Sequence, residues 1–207
     1  LGYGYGYYKA NILSFFNPAP TTYNFSWSNF IPMIQTSRGE YEGFGYLGLG
    51  GIILFIFLLF NFVKREPLLG FKKNRPYYLL VIIFFTLAIS NTINFGSFVL
   101  LDTPLPKFLY APLSVIRASG RFIWPIYYLI LIVGLILIYK KHEKKRALLI
   151  LIIILCIQII DISSGLKNYI NSNVFMRHEK VMLNDPIWNK ISKEFQIIRT
   201  TYPNNNS

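Results

Sequence analysis

Four long apolar runs dominate this sequence, and they restrict the chain to folds that remove long helices from water. The runs occupy residues 47–63, 77–98, 122–139 and 147–162. About 20 apolar residues cross a hydrocarbon core of ~30 Å as a helix, so each run approaches the length of one membrane span. The first and last runs are short and need snorkelling side chains or a thin membrane. We therefore predict an all-α transmembrane bundle fragment with four spans.

The composition excludes several other classes of protein. Only 14% of the 207 residues are charged and 53% are hydrophobic, whereas soluble domains carry about 25% charged residues. Cys156 is the only cysteine, which excludes a disulfide-stapled secreted domain. A disordered chain and an ordinary cytosolic enzyme are equally inconsistent with these values. Because the chain begins with Leu1 rather than Met, we expect it to be part of a longer polypeptide.

The basic residues predict how the chain threads the membrane. Residues 64–75 and 140–146 each carry five Lys or Arg, far more than the other connecting segments. Basic loops stay on the cytoplasmic side, so we place residues 1–46, 99–121 and 163–207 outside. Both ends of the chain are then extracytoplasmic. The net charge of +12 is mostly this topology signal, and we predict no nucleic-acid partner because basic and aromatic residues do not alternate on one face.

The segment 1–46 is rich in aromatic residues, with a Gly-Tyr alternation near its start and Pro18, Pro20 and Pro32 later. Tyrosine and tryptophan prefer the headgroup level of a bilayer. One interpretation is therefore a loop that lies on the outer leaflet. The other is an aromatic platform for a sugar or a lipid chain.

Glu40 and Glu42 are the candidates for a catalytic carboxylate. If this stretch is extended, the two side chains point the same way, and such a pair can act as a general base, bind a metal or accept sugar hydroxyls. Alternatively, the pair is solvated and stabilises the N-terminus of the first helix.

The loop 99–121 carries the candidate phosphate ligands. We predict a short amphipathic helix with Pro112 in its first turn. If the helix continues through Gly120, Arg117 and Arg121 lie one turn apart on one face, where two guanidinium groups suit a phosphate or pyrophosphate. Ser119 and Gly120 would let a substrate approach the backbone. The following aromatic residues form a collar of Phe122, Trp124, Tyr127 and Tyr128. Alternatively, both arginines snorkel to anionic lipid headgroups.

The segment after the fourth run has two features of interest. Asp161 is either a residue at the outer boundary of the membrane or part of a site that faces the other outer loops. Asp185 and Pro186 predict a helix start, and residues 197–201 predict a strand, so we expect the start of a truncated α/β extracytoplasmic domain. No spacing typical of a zinc site, nucleophile elbow or catalytic triad occurs, and we predict no metal site.

Three strings in this order resemble one bacterial family: GEYEGFGYLGLG, SVIRASGRFIWPIYYLI, and a last span ending IQIIDIS before a tail with LNDPIWNKI. It is an uncharacterised family of polytopic inner-membrane proteins related to the GT-C glycosyltransferases, of which this chain would be the C-terminal part. The resemblance implies a multi-span protein of the bacterial inner (cytoplasmic) membrane whose outer loops act on a polyprenyl-phosphate-linked sugar. The residues that match its strings are Glu40, Glu42, Tyr46, Arg117, Ser119, Gly120, Arg121 and Trp124.

In GT-C enzymes the catalytic acid sits in the first outer loop, which would lie upstream of Leu1, so the resemblance leaves the catalytic residue outside this chain. No cofactor follows from these residues, and a divalent metal in the full-length protein stays open.

Three functions remain in competition. The first is a glycosyltransferase whose Arg117 and Arg121, with Ser119, Gly120, Tyr46 and Trp124, hold the lipid phosphate. The second is a transporter or flippase of lipid-linked glycans, which needs polar residues facing a cavity within the spans. The second run supplies such residues: Thr86, Ser90, Asn91, Thr92 and Asn94. The third is a structural membrane subunit. The oligomeric state is open in all three.

Overall fold

The computed structural model describes residues 5–19, 25–64, 70–171 and 186–194. The helices of this part are α1 (Gly48–Val63), α2 (Phe71–Ile89), α3 (Lys107–Ser114), α4 (Ile123–Lys141), α5 (Lys144–Asn171) and α6 (Pro186–Glu194). Strands β1 (Thr92–Phe95) and β2 (Phe98–Asp102) form an antiparallel hairpin. Short 3₁₀ turns cover Ile12–Phe15, Glu40–Gly43 and Ser119–Phe122. The described structure is mostly helical, as predicted.

The chain divides into two compact units, Leu1–Lys167 and Asn168–Ser207. The first unit contains α1 to α4, the hairpin and most of α5. The second contains α6, which begins at Pro186 as predicted. Asp185, its predicted cap, and the predicted strand 197–201 lie outside the described residues.

Two helical segments of the described structure are long and apolar enough to cross a membrane: Ser119–Lys141, which includes α4, and Lys144–Asn171, which is α5. Helix α1 and residues Asn74–Ile89 of α2 are apolar but shorter. The first and third predicted runs correspond closely to α1 and α4. The fourth run, 147–162, lies within α5, which continues to Asn171. Residues 163–171, predicted as the start of the outer tail, are therefore helical.

The predicted extent of the second run, 77–98, is wrong. Helix α2 ends at Ile89, and Ser90 takes a positive φ of 64° that a helix does not contain. The polar residues beyond it leave the helix and form β1, which pairs with β2. Polar side chains find hydrogen-bond partners in this hairpin that the middle of an apolar helix does not offer.

Helices α1 and α4 run in the same direction. At the start of α4 the Nε1 of Trp124 donates to the carbonyl of Phe44, just before α1. At the other end the ammonium of Lys141 donates to the side-chain oxygen of Asn61. Helix α2 runs in the opposite direction. Its C-terminus lies beside the N-terminal segment, where the N–H of Ala10 donates to the carbonyl of Ala88.

The first unit therefore has two chemically different ends. We call the end with residues 5–19 and 25–46, the hairpin and the 3₁₀ turns the loop end. We call the other, where α1 and α4 finish and α2 and α5 begin, the basic end. Lys64, Lys141 and Lys144 belong to the basic end.

Glycines allow α1 to approach α4 and α5 closely, as the glycine-rich start of α1 predicts. A Cβ on Gly50 would lie 2.8 Å from the carbonyl oxygen of Ile154 in α5, and one on Gly134 in α4 would lie 3.1 Å from the Cβ of Leu54. Small residues bring helix backbones together in this way in membrane bundles. The contacts fix the α1–α4–α5 core beneath the loop end.

Helix α3 differs from the predicted amphipathic helix. Pro112 lies near its C-terminal end rather than in its first turn, because the helix begins directly after Pro106. The helix stops at Ser114, so Arg117 lies in the connection to the next turn. The prediction that one helical face carries Arg117 and Arg121 is therefore wrong.

Candidate functional site

The 3₁₀ turn Ser119–Phe122 positions the candidate arginines. The N–H of Gly120 donates to the carbonyl of Tyr8 at 2.8 Å, and the hydroxyl of Ser119 donates to the same carbonyl at 3.2 Å. Both residues are buried. The expectation that a ligand approaches the backbone here does not hold, because residues of the N-terminal segment cover it. Ser119 and Gly120 instead fix the turn that carries Arg121.

An open cavity of about 730 Å³ lies beside this turn. Arg117, Arg121, Trp124 and Tyr128 are among its lining residues, and all four are exposed. The structure therefore brings together Arg117, Arg121 and Trp124, as the sequence predicts, although a loop and a turn position the arginines instead of a single helix. We call this space the arginine cavity.

Arg121 is oriented by two neighbours. Its Nε donates to Oε2 of Glu42 at 2.7 Å, and its guanidinium carbon lies 6.0 Å from the ring centroid of Trp124, at the outer limit of a cation–π contact. The hydrogen bond to Glu42, together with the charge of that carboxylate, raises the pKa of Arg121. The guanidinium is thus a permanent cation at the edge of the arginine cavity.

Arg117 has no hydrogen-bond or ion-pair partner among the described residues. The terminal Nη nitrogens of Arg121 also have no hydrogen-bond partner within this part of the chain. Guanidinium nitrogens can bind phosphate oxygens in pairs. The cavity therefore offers unsatisfied donors to an anion.

Glu40 does not accompany Glu42, contrary to the extended arrangement considered above. Residues 40–43 form a 3₁₀ turn, and this separates the directions of the two carboxylates. Glu40 is buried: its Oε1 accepts from the amide of Asn94 at 2.7 Å, and its Oε2 accepts from Asn11 Nδ2 at 2.9 Å and from the N–H of Ser37 at 3.0 Å. These bonds make Glu40 a structural residue of the loop end.

Lys9 completes this buried polar network. Its ammonium donates to the carbonyl of Thr92 at 2.6 Å and to Oδ1 of Asn94 at 3.1 Å. Burial lowers the pKa of Lys9, and the charges of Glu40 and Asp102 oppose this effect. Lys9 and Asn94 were not identified from the sequence as members of one network, because neither lies in a motif and Asn94 was assigned to a span.

Asp161 packs against residues 28, 46 and 49 of other segments of the chain instead of lying at an exposed boundary. It is fully buried. Its carboxylate accepts from the hydroxyl of Ser28, from the hydroxyl of Tyr46 at 2.7 Å and from the N–H of Leu49 at 3.0 Å. We call these residues the Asp161 cluster; it joins the N-terminal segment and the start of α1 to α5.

Tyr46 therefore does not line the arginine cavity, although the sequence analysis grouped it with the phosphate ligands. Its side chain is 7% exposed, and burial is the main cause of its raised pKa. A protonated phenol can donate to Asp161, so Tyr46 serves the packing of α1 against α5. Among the described residues no three His, Cys, Asp or Glu side chains group as a metal site would require.

The chain was compared with protein families, curated proteins and solved structures. A family described as a domain of unknown function (DUF6311) matches residues 1–163, which include the arginine cavity and the Asp161 cluster. No curated protein and no solved structure matches the chain.

Proposed function

The chain belongs to the DUF6311 family, whose description names no activity, and we propose that it is the C-terminal part of a GT-C-like membrane glycosyltransferase. Arg117 and Arg121 hold the phosphate of a polyprenyl-phosphate sugar donor on the extracytoplasmic face of the bacterial inner membrane. The observation that carries this proposal is the arginine cavity, which is lined by two exposed arginines, Arg117 and Arg121, and by Trp124. The resemblance of the loop strings to an uncharacterised inner-membrane family related to the GT-C glycosyltransferases supports it.

The chemistry of sugar transfer explains why two arginines are needed. When the sugar leaves a lipid phosphate, negative charge develops on the phosphate, and preorganised cations stabilise that transition state. Arg121 is preorganised by Glu42 and Trp124. Arg117 approaches the same cavity from the preceding loop, so the two side chains can contact different oxygens of one phosphate.

A second cavity supports a lipid as the ligand. It has a volume of about 490 Å³, lies between α1, α2 and α4, and is almost entirely apolar. Phe122 and Pro125 line the arginine cavity, while Leu129 and Val133 line the apolar one. Residues at these spacings share one face of a helix. Pro125, Leu129 and Val133 therefore form a stripe of α4 that runs from one cavity to the other, and we place a ligand with a phosphate head and an isoprenoid tail along it.

The proposed threading uses α1, α2, α4 and α5 as four spans. The rise of 1.5 Å per residue gives α1 a length of roughly 24 Å, which is less than a typical hydrocarbon core. Lys64 follows the last residue of α1 at the basic end, and a lysine at this position can lengthen the span by extending its ammonium to the headgroups. Placing the basic end in the cytoplasm puts the arginine cavity outside.

The catalytic base in this proposal lies outside the chain, in an earlier outer loop. Glu40 is unsuitable because both of its oxygens accept hydrogen bonds in a buried network. Glu42 is partly exposed beside Arg121, where it can orient a sugar hydroxyl.

The structure gives less support to the transporter alternative. Of the polar residues assigned to the second span, Thr86 is the one within α2, and its hydroxyl donates to the carbonyl of Ile82. Ser90 and Asn91 follow the helix, and Thr92 and Asn94 belong to β1. These residues therefore do not form a polar path along a span.

Binding of farnesyl phosphate tests the proposal, with farnesol as the phosphate-free probe and the chain held in nanodiscs. We expect the chain to bind farnesyl phosphate tightly and not to bind farnesol. The double substitution Arg117→Gln with Arg121→Gln should weaken farnesyl phosphate binding at least tenfold. The matched control is Lys145→Gln with Arg146→Gln, which removes two exposed cations at the basic end and should leave binding intact. Equal binding by both double variants, or equal binding of farnesol, would refute the proposed phosphate site.

A further inference from the structure

Three tyrosines form a continuous aromatic surface at the loop end. The rings of Tyr7 and Tyr8 pack edge to face with centroids 4.9 Å apart, and those of Tyr8 and Tyr41 do so at 5.9 Å. Tyr7 is nevertheless 51% exposed and Tyr41 39% exposed. Two large rings thus face outward while a third, Tyr8, holds them at fixed angles. We call these three residues the tyrosine face.

The backbone fixes the tyrosine face relative to the arginine cavity. The carbonyl of Tyr8 accepts the hydrogen bonds of Ser119 and Gly120, the turn that carries Arg121. On the other side, a Cβ on Gly39 would lie 2.5 Å from the carbonyl oxygen of Tyr7 and 2.8 Å from its ring. Gly39 also has a φ of 91°, so a glycine is required for this close packing. The tyrosine face is therefore preorganised by backbone contacts.

Charged groups border the tyrosine face. Glu42 follows Tyr41 in the same 3₁₀ turn, and its carboxylate binds Arg121. Burial is the main cause of the raised pKa of Tyr41, to which Tyr8 and Glu42 also contribute. Its phenol is thus a neutral donor. The tyrosine face therefore offers an apolar ring surface. The carboxylate of Glu42, the guanidinium of Arg121 and the phenol of Tyr41 offer hydrogen-bonding groups beside it.

We propose that the tyrosine face, together with Glu42, binds the pyranose ring of a sugar substrate. A pyranose has an apolar C–H face, which stacks on an aromatic ring, and a rim of hydroxyls, which bind carboxylate and guanidinium groups. The site rests on the proposed function, because it places the sugar next to the cations assigned to the lipid phosphate. A lipid tail fits the apolar cavity between α1, α2 and α4 better than this mixed surface.

A tyrosine cluster at the level of lipid headgroups also has a simpler use as a membrane anchor. That use requires no particular ring geometry and no neighbouring ion pair. The fixed edge-to-face angles and the adjoining Glu42–Arg121 pair favour a ligand. An anchor would bind no free sugar, so direct binding separates the two.

Saturation-transfer NMR with methyl α-glucoside, methyl α-galactoside and methyl α-mannoside tests the site on the chain in nanodiscs. We expect saturation of at least one glycoside, reduced fivefold or more by Tyr41→Ala and by Tyr7→Ala. Tyr139→Ala is the matched control, since this tyrosine is 56% exposed at the basic end and should give the unchanged signal. Tyr41→Phe keeps the ring and should keep most of the binding.

The outcomes separate this site from the phosphate site. Absence of saturation with all three glycosides, or equal saturation in Tyr41→Ala and Tyr139→Ala, overturns the sugar site. The helix content from circular dichroism, measured on the same samples, reports whether the variants are folded, and farnesyl phosphate binding is measured separately. Sugar binding without farnesyl phosphate binding would instead overturn the lipid-phosphate function and leave the tyrosine face as a sugar site.

Discussion

Gly120→Ala should damage the arginine cavity without touching an arginine. A Cβ at this position would lie 2.7 Å from the backbone nitrogen of Gly43 and 2.9 Å from the carbonyl carbon of Lys9. Both neighbours are main-chain atoms, so no side chain can rotate away. Ordinary van der Waals contact begins at 3.4 Å, and the turn must therefore move outward by about 0.7 Å to restore normal packing.

This displacement sets the expected magnitude. Overpacking of a well-packed site costs about 1–3 kcal/mol of unfolding free energy. The same movement carries Arg121 away from Glu42 and weakens the hydrogen bonds to the Tyr8 carbonyl. Because misplacement of a positioning group by ~1 Å can cost as much as about 100-fold in rate, we expect farnesyl phosphate binding to weaken by roughly tenfold.

Gly134→Ala is the matched control. Its Cβ would lie 3.1 Å from Leu54 Cβ, so α1 and α4 must separate by a few tenths of an ångström, while the helix propensity of alanine offsets part of this cost by about 1 kcal/mol. We expect at most a small loss of stability and unchanged farnesyl phosphate binding, because Gly134 lies away from the arginine cavity. Denaturation in detergent measures the stability, and titration with farnesyl phosphate measures the binding. If Gly120→Ala binds the ligand as wild type does, the turn does not position the phosphate site.

Further predictions concern the buried groups and the ion pair. Asp161→Ala leaves three donors without their acceptor and should lower the unfolding free energy by about 3–5 kcal/mol. Tyr46→Phe loses one hydrogen bond to that carboxylate and should lower it by about 1.5–3 kcal/mol. Equal losses in SDS titrations would contradict the role of Asp161 as the acceptor shared by three donors. The lowered pKa of Lys9 means that the unfolded chain holds this proton more tightly. Stability should therefore rise with pH between the lowered pKa of the folded chain and the ordinary value of 10.5, and be flat below that window. Lys9→Met should remove that slope in denaturation curves, and an identical slope would exclude Lys9 as its source. Glu42→Gln should weaken glycoside saturation severalfold while Arg121 keeps its charge; undiminished saturation would exclude a carboxylate role in sugar binding.

The apolar runs predicted the helices well because the signal is local. In an apolar environment an uncharged run satisfies its backbone hydrogen bonds within a helix. Helices α1 and α4 lie close to the predicted bounds, whereas α5 continues nine residues past its predicted end at 162. The resemblance to GT-C relatives and the lipid-phosphate function remain predictions that the proposed experiments address. The grouping of Arg117, Arg121 and Trp124 also followed from the sequence, since these residues are close in the chain.

Contacts between distant segments decided what the sequence left open. Glu40 became buried because Asn11 and Asn94 converge on it, and residues 11 and 94 are brought together only when the hairpin folds onto the N-terminal segment. Ser28 meets Asp161 across 133 residues of sequence. Periodicity reports which side of its own helix a residue occupies, whereas hydrogen-bond partners depend on which segments pack against that side. The length and placement of the helices were therefore encoded locally, while the roles of the two glutamates, Tyr46 and Asp161 were fixed by tertiary packing.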